Sequence, residues 1–212
     1  MLLSGTDCIE LIKAMQATIE ANRDKLSTLD AATGDGDHGV NLANAAELAL
    51  GKVQNLIEPN PADVMKAVGK TLINEMGGAS GAIFGSFFRG GSKAIMEIDQ
   101  LGLSEFCAFA EAGLAAVQKR GKAHPGDKTL VDALYPAAAV LQQAIKENID
   151  FAEAINNAAD AARNGAEKTA DMVAKFGRAK FLGERSLGHQ DAGATSMALI
   201  FTAWADQVAI LN

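Results

Sequence analysis

Apolar residues recur along this chain every three or four positions, and short polar loops bearing glycine break the pattern at intervals. That period buries one stripe of an α-helix and does not match the two-residue alternation of a half-buried strand. Residues 60–76 show it most clearly. Asn60 suits an N-cap, Pro61 the first helical position and Asp63 the positive end of the helix, after which Val64, Val68 and Leu72 repeat every four residues beside Met65 and Met76.

The same reading extends to both sides. A first helix runs through "SGTDCIELIKAMQATIEANRDKL" on Ile9, Ile12, Met15 and Ile19, and a second from about Val40 through "NLANAAELAL". A fourth starts at "GGASG" with Phe84, Phe87 and Phe88 as its apolar face. A fifth is capped by Ser104, buries Cys107, Leu114 and Val117, and ends on the cations and glycine of "KRG". A sixth starts near Asp127, carries Leu130, Leu134, Leu141 and Ile145, and should kink at Pro136. A seventh covers about 151–174, and the last runs through "MALIFTAWADQVAIL". The expectation is an all-α fold of eight amphipathic helices in a single domain, residues 1–212. Two four-helix halves are the alternative, but no internal repeat supports them.

Composition agrees and narrows the function. The chain is 49% hydrophobic but only 5% aromatic, so alanine-rich helices must pack closely to make a core. The net charge of −7 and the lack of a basic block exclude nucleic acid as an expected partner. Cys8 and Cys107 lie far apart in apolar surroundings and read as buried thiols. The start, "MLLSGTDCIE", has no basic n-region, and no apolar stretch reads as long enough to span a membrane, so a cytoplasmic protein without a membrane partner is expected.

Four glycine-bearing loops precede or open helices: "TGDGDHGVN", "GGASG", "RGKAHPGDKT" and "GERSLGHQDAGATS". A helix start offers free backbone N–H groups and a partial positive charge, and glycine lets a ligand approach the backbone. Several such starts at one end of a bundle could form an anion pocket. The first loop adds carboxylates. Asp35 and Asp37 are two residues apart, and Asp30 can swing in from the preceding helix end. Mg²⁺ prefers hard oxygen ligands and is usually held by a few carboxylates plus substrate phosphates. Three carboxylates and a nucleoside diphosphate carry about −6, which two Mg²⁺ reduce to about −2.

Alone, Asp-Gly-Asp is more often a solvated turn or helix cap. An EF-hand fails because Gly39 stands where a third ligand belongs and no glutamate closes the loop. The P-loop and the dinucleotide glycine motif are absent. Ser80, Ser186 and Ser196 lack a nucleophile elbow. His38, His124 and His189 all lie in or beside the glycine loops, where hydrogen-bonding roles are commoner than catalytic ones.

The loops as a set are more specific. "LDAATGDGDHGVN", "GGASGAIFGSFF", "KRGKAHPGDKTLVDAL" and "GRAKFLGERSLGHQDAGATS" resemble, in order and spacing, the nucleotide-binding L subunit of bacterial dihydroxyacetone kinase, a module that also forms the C-terminal domain of single-chain ATP-dependent kinases. The resemblance covers nearly the whole chain. It implies an antiparallel barrel of eight amphipathic helices holding ADP or ATP at one rim through two Mg²⁺. It implies Asp30, Asp35 and Asp37 as magnesium ligands, and no catalytic residue on this chain. His38, Gly39, Val40 and Asn41 would line the nucleotide, with Ala79 and Ser80 at a phosphate-binding helix start. Gly121, Leu130, Arg178, Asp191, Ala192 and Gly193 would complete the pocket. The family usually has proline where this chain has Ala192, which leaves the loop a little freer.

The resemblance further implies partners. A K subunit would hold dihydroxyacetone covalently on its own histidine, and this chain would deliver the phosphoryl group. In the phosphoenolpyruvate-linked form an M subunit recharges bound ADP, and a transcription regulator can also be contacted. An ATP-dependent kinase subunit for dihydroxyacetone or another small keto-sugar, or a non-catalytic nucleotide-binding regulatory module, is the alternative.

Overall fold

A computed structural model describes residues 1–212. It contains nine α-helices: α1 (Gly5–Ala21), α2 (Arg23–Thr33), α3 (His38–Val53), α4 (Pro61–Glu75), α5 (Gly78–Ala94), α6 (Leu103–Gly121), α7 (Val131–Glu147), α8 (Phe151–Lys168) and α9 (Ala192–Leu211). Two short 3₁₀ segments, Thr169–Asp171 and Ala179–Ser186, lie between α8 and α9. The sole extended pairing is an isolated antiparallel bridge between Leu3 and Leu101.

Eight of these helices close into a ring. Each of α3 to α8 packs against the next in sequence, α9 packs on α1, and α1 closes on α3. The ninth, α2, lies outside the ring against α3 and α9. It arises because the first expected helix breaks at Asn22, whose backbone leaves helical geometry (φ −107°, ψ 9°) and whose side chain donates to the Thr18 carbonyl. The break redirects the chain and places Asp30 on a separate short helix.

Other departures from the sequence expectation have local causes. Gly102, not Ser104, caps α6, because the bridge at Leu101 holds the preceding backbone and the Glu105 carboxylate accepts the Gly102 N–H at 3.0 Å. Leu114 is half-buried and Ile145 is exposed. The helix expected to begin near Asp127 starts at Val131, since Gly126 and Lys128 both have positive φ. Pro136 lies inside α7 without ending it, and the Asp132 carbonyl it leaves unbonded faces Gly165 of α8 at a contact with no room for a side chain. Helix α9 is, by length and composition, apolar enough to cross a membrane, contrary to the sequence expectation. Its length is instead packed inside the ring, against α1, α7 and α8.

Burial follows the helical stripes. Trp204 of α9 sits among Phe87 and Phe88 of α5 and Phe106 and Phe109 of α6, with ring centroids 5.7–6.3 Å apart. Alanines fill the remaining helix contacts, and one continuous apolar core runs through all nine helices. Cys8 and Cys107 are buried and unpaired, and burial pushes their thiols up to about 12 and about 11.

The indole Nε1 of Trp204 is buried with no hydrogen-bond partner, so the residue acts through volume alone. Trp204→Ala should cost about 3–5 kcal/mol in urea unfolding followed by far-ultraviolet circular dichroism. Trp204→Phe should cost clearly less. Equal losses would show that the indole N–H matters.

Candidate functional site

The ring alternates helix direction, so helix starts fall at two opposite rims. Four starts gather at one rim. The side chains of Ser4 and Asn60 cap α1 and α4, Glu105 closes the start of α6, and Asp150 caps α8. The starts of α3, α5, α7 and α9 gather at the other rim. His38 meets Ser196 there, the His38 and Phe84 rings are 5.9 Å apart, and Leu130 touches Gly193. At this second rim Asp191 caps α9, α5 has no side-chain cap bond, the first amide of α3 is held by Asp30, and the first-turn amides of α7 are all taken, by Thr129 Oγ1 and by the Thr129 and Leu130 carbonyls. Positive helix ends lie at both rims, and at this one the Gly39 and Val40 amides of α3 and the Ala79 and Ser80 amides of α5 have no protein partner.

The acidic loop sits on this second rim. Asp30 ends α2, Asp35 lies in the loop, and Asp37 precedes α3, yet an oxygen from each lies within 4.8 Å of the others. The loop reaches this shape through its own hydrogen bonds. The Gly36 and His38 amides donate to Asp30 Oδ2 at 2.8 and 3.4 Å, and the Gly34 amide donates to the Asp30 carbonyl at 2.5 Å. Gly36 takes φ +79°, which a side chain would disfavour. At Gly39 a Cβ would collide with the Arg23 carbonyl of α2, so glycine there lets α2 lie directly on the start of α3. Asp35 and Asp37 are exposed and Asp30 is half-buried. The Arg178 guanidinium, from the long segment before α9, forms an ion pair with Asp35.

His38 turns inward. Its ring is buried, and Nε2 lies 2.8 Å from Ser196 Oγ. The Ser196 hydroxyl already donates to the Ala192 carbonyl, so it accepts from His38 and the proton sits on Nε2. Burial lowers the His38 pKa against the opposing pull of Asp30 and Asp37, which keeps the ring neutral. His38 therefore ties α3 to α9. Asp191 accepts the Ala194 amide at 2.7 Å, and its own amide donates to Thr169 Oγ1 at 2.8 Å. Burial pushes its carboxyl up to about 6.

The other expected site residues distribute around the same rim. Val40 and Asn41 are half-buried in the first turn of α3. Ala79 and Ser80 are exposed at the start of α5, after Gly77 and Gly78 with φ +68° and +58°. Gly121 ends α6 against Ile83, one turn beyond Ser80. Leu130 is buried before α7, and Ala192 and Gly193 form the first turn of α9. His124 and His189 are exposed in their loops. Asp30, Asp35, Asp37 and Arg178 form one group and Asp191, Ala192, Gly193 and Leu130 another; His38 links them, its amide on Asp30 and its ring reaching Ala192 through Ser196. Ala79, Ser80 and Gly121 form a third group reached through Ile83 and Phe84. Sequence reasoning missed Ser196, Thr169, Asp132 and Lys128, which shape the rim from beneath. Their hydrogen-bonding residue types were visible, but their burial was not.

The chemistry of the set fits a magnesium ion carrying a polyphosphate. Three carboxylate oxygens converge from separate positions, two of the carboxylates face solvent, and the start of α3 with its free Gly39 and Val40 amides adjoins them.

Comparison with known proteins agrees with this geometry. A family model for the DAK2 domain matches residues 32–206. The chain is 36% identical over 197 residues to the ADP-binding subunit of the PEP-dependent dihydroxyacetone kinase of Escherichia coli strain K12, covering 93% of this chain and 94% of that one. It is 42% identical over 188 residues to an ADP-binding subunit of such a kinase from Listeria innocua, covering 87% of each. Its fold superposes on the dihydroxyacetone kinase of C. freundii in complex with AMP-PNP and Mg²⁺ with a TM-score of 0.72 at 30% identity, covering 93% of this chain. The chain spans about a third of the length of that solved kinase.

Two predictions follow from the rim geometry. Gly39→Ala should lower stability by about 1–3 kcal/mol, read by urea denaturation, because α2 must move off α3. Asp191 has a folded pKa above the usual 3.8, so the folded state holds its proton more tightly. Its contribution to stability should fall as pH rises from about 4 to about 6. Asp191→Asn should flatten that slope in magnesium-free buffer, and an unchanged slope would reassign it to another group.

Proposed function

The chain belongs to the DAK2 domain family, and on that premise we propose that it is the ADP-binding phosphotransfer subunit of a PEP-dependent dihydroxyacetone kinase. The observation that carries this reading is the convergence of Asp30, Asp35 and Asp37 on the rim where α3 and α5 begin with free amides. Asp30, Asp35 and Asp37 would hold two Mg²⁺. When bound, these ions supply positive charge between the carboxylates and the phosphates and polarise the phosphoryl oxygens.

The remaining roles belong to side chains and backbone of this chain. The starts of α3 and α5 would present amides to phosphate oxygens, through Gly39 and Val40 and through Ala79 and Ser80, with the Asn41 side chain beside them because its amide already donates to the Asp37 carbonyl at 2.9 Å. The Ser80 hydroxyl is exposed and free to donate to a phosphate oxygen. Arg178 now neutralises Asp35 and stands where it can also meet phosphate charge. Leu130, Gly121 and the turn at Asp191, Ala192 and Gly193 shape the base and ribose end. His38 contributes its backbone to the nucleotide, while its neutral ring holds the loop in register with α9. Phosphoryl transfer depends on alignment and charge neutralisation, so the lack of a nucleophile on this rim is consistent.

Dihydroxyacetone would be held on a partner K subunit, and a phosphocarrier M subunit would recharge bound ADP from phosphoenolpyruvate. The subunit would work in the cytoplasm and would be inactive without these partners.

Combining the chain with a K subunit, dihydroxyacetone, ADP and the phosphoenolpyruvate relay should yield triose phosphate. No product with either the relay or ATP would overturn the kinase assignment for this sugar. Asp35→Ala and Asp37→Ala should abolish Mg²⁺-dependent ADP retention while leaving helicity near the wild-type value, since neither side chain caps a helix or reaches the core. Retained ADP in either variant would remove that residue from the ligand set.

A further inference from the structure

Lys128 is the one lysine or arginine buried in this protein, with 2% of its surface exposed. Its backbone takes a left-handed conformation (φ +59°), uncommon outside glycine. No carboxylate bonds its ammonium. Instead Nζ donates to three carbonyls, Thr169 at 2.7 Å, Ser186 at 2.7 Å and His189 at 2.5 Å, which exhausts its three hydrogens. Burial lowers its pKa, while Asp191 and Asp171 nearby favour the charged form.

The positions of those carbonyls matter. Thr169 begins the segment between α8 and α9, and Ser186 and His189 end it. One ammonium therefore draws together both ends of a long excursion. Parallel bonds lie across the same neck: the Gly188 amide donates to the Ala170 carbonyl at 2.8 Å, the Ala174 amide to Ser186 Oγ at 3.0 Å, and the Asp191 amide to Thr169 Oγ1. Lys128 is itself held in place, because the Asp132 carboxylate accepts the Gly126 and Thr129 amides on either side of it. The excursion carries Arg178, and Asp191 follows its closing end.

We propose that Lys128 is a positioning residue of this rim: it clamps the neck of the 169–189 segment and thereby fixes where Arg178 and Asp191 stand. Its effect on ADP presupposes the nucleotide site proposed above, whereas its effect on the segment does not. Removing the ammonium strands the buried Thr169 and Ser186 carbonyls, frees that of His189, and leaves the neck to weaker amide bonds. The Asp127–Lys175 ion pair (2.7 Å) is a second tie to the same segment, but its lysine is largely exposed and shielded by water.

Three measurements on the full chain test this. Under native acylation read by mass spectrometry, wild-type Lys128 should stay unmodified while Lys175 reacts; equal labelling would overturn the clamp, even if no Lys128 variant folds. In Lys128→Met, hydrogen exchange at the Ala174, Gly188 and Asp191 amides should quicken about tenfold or more while α4 to α6 keep their protection. Unchanged exchange at those amides would also overturn it. Mg²⁺-dependent ADP affinity, read by calorimetry, should fall about tenfold in Lys128→Met. Because Lys128 acts partly through Arg178, Lys128→Met with Arg178→Met should lose less than the product of the single losses. Multiplying losses would show that the two residues act independently and would refute the positioning role. A wild type that binds no ADP would sink the nucleotide reading alone, leaving the exchange result to judge the clamp.

Discussion

An even ring of antiparallel helices must begin every second helix at the same rim. Here that constraint gathers the starts of α3, α5, α7 and α9 on one face, and the two faces are finished differently. Side chains close the starts of α1, α4, α6 and α8, as in an ordinary stable helix. Opposite them, α5 starts with no side-chain bond and α3 with only its first amide held, by Asp30, whereas the buried start of α7 has its amides taken. Unsatisfied amides at a solvent-facing helix start cost little in water but are ready for an anion. The barrel thus leaves free amides at the starts of α3 and α5 before any charged side chain is considered.

The carboxylates come from outside the ring. The break at Asn22 separates α2 from α1, and Gly39 lets α2 lie against the start of α3. Asp30 is thereby brought under the loop, where it accepts two amides and meets Asp35 and Asp37. Carboxylates beside uncapped amides are a mismatch for a bare anion but a match for a metal-bound one. A metal would satisfy the aspartates, leaving the amides to receive phosphate oxygens. Arg178 on Asp35 and the neutral His38 on Ser196 extend the arrangement to the α8–α9 segment and to α9. Lys128 supports that segment from below.

Much of this was legible in the sequence, for physical reasons that differ by element. The start of α4 was readable because Asn60, Pro61 and Asp63 each act within one helical turn, and Asn60 does accept the Asp63 amide at 2.9 Å. The apolar face of α5 was readable because Phe84, Phe87 and Phe88 are large enough to leave no other place than the core. The aspartates stood out because three lie within eight residues of one another, so their convergence is a local event. What escaped was decided by long-range packing. The break at Asn22 has no proline or glycine to announce it. The lost cap at Ser104 depends on Leu3 pairing with Leu101 from the other end of the helix order. Lys128 reads as a polar loop residue in "PGDKT", and only the arrival of residues 169, 186 and 189 makes it a buried centre. Helix α9 carries enough apolar surface for a membrane span, and it takes the surrounding ring to show where that surface goes.

The central claim is that Asp30, Asp35 and Asp37 form one metal clasp that anchors a nucleotide's phosphates. Crystals of the full chain grown with ADP and Mn²⁺, measured at the manganese absorption edge, test it most directly. Anomalous peaks are expected within direct coordination distance of these carboxylates, about 2.0–2.3 Å, with ADP phosphates reaching from them toward the starts of α3 and α5. Manganese bound elsewhere, or ADP bound at this rim with no metal on the three aspartates, would contradict it.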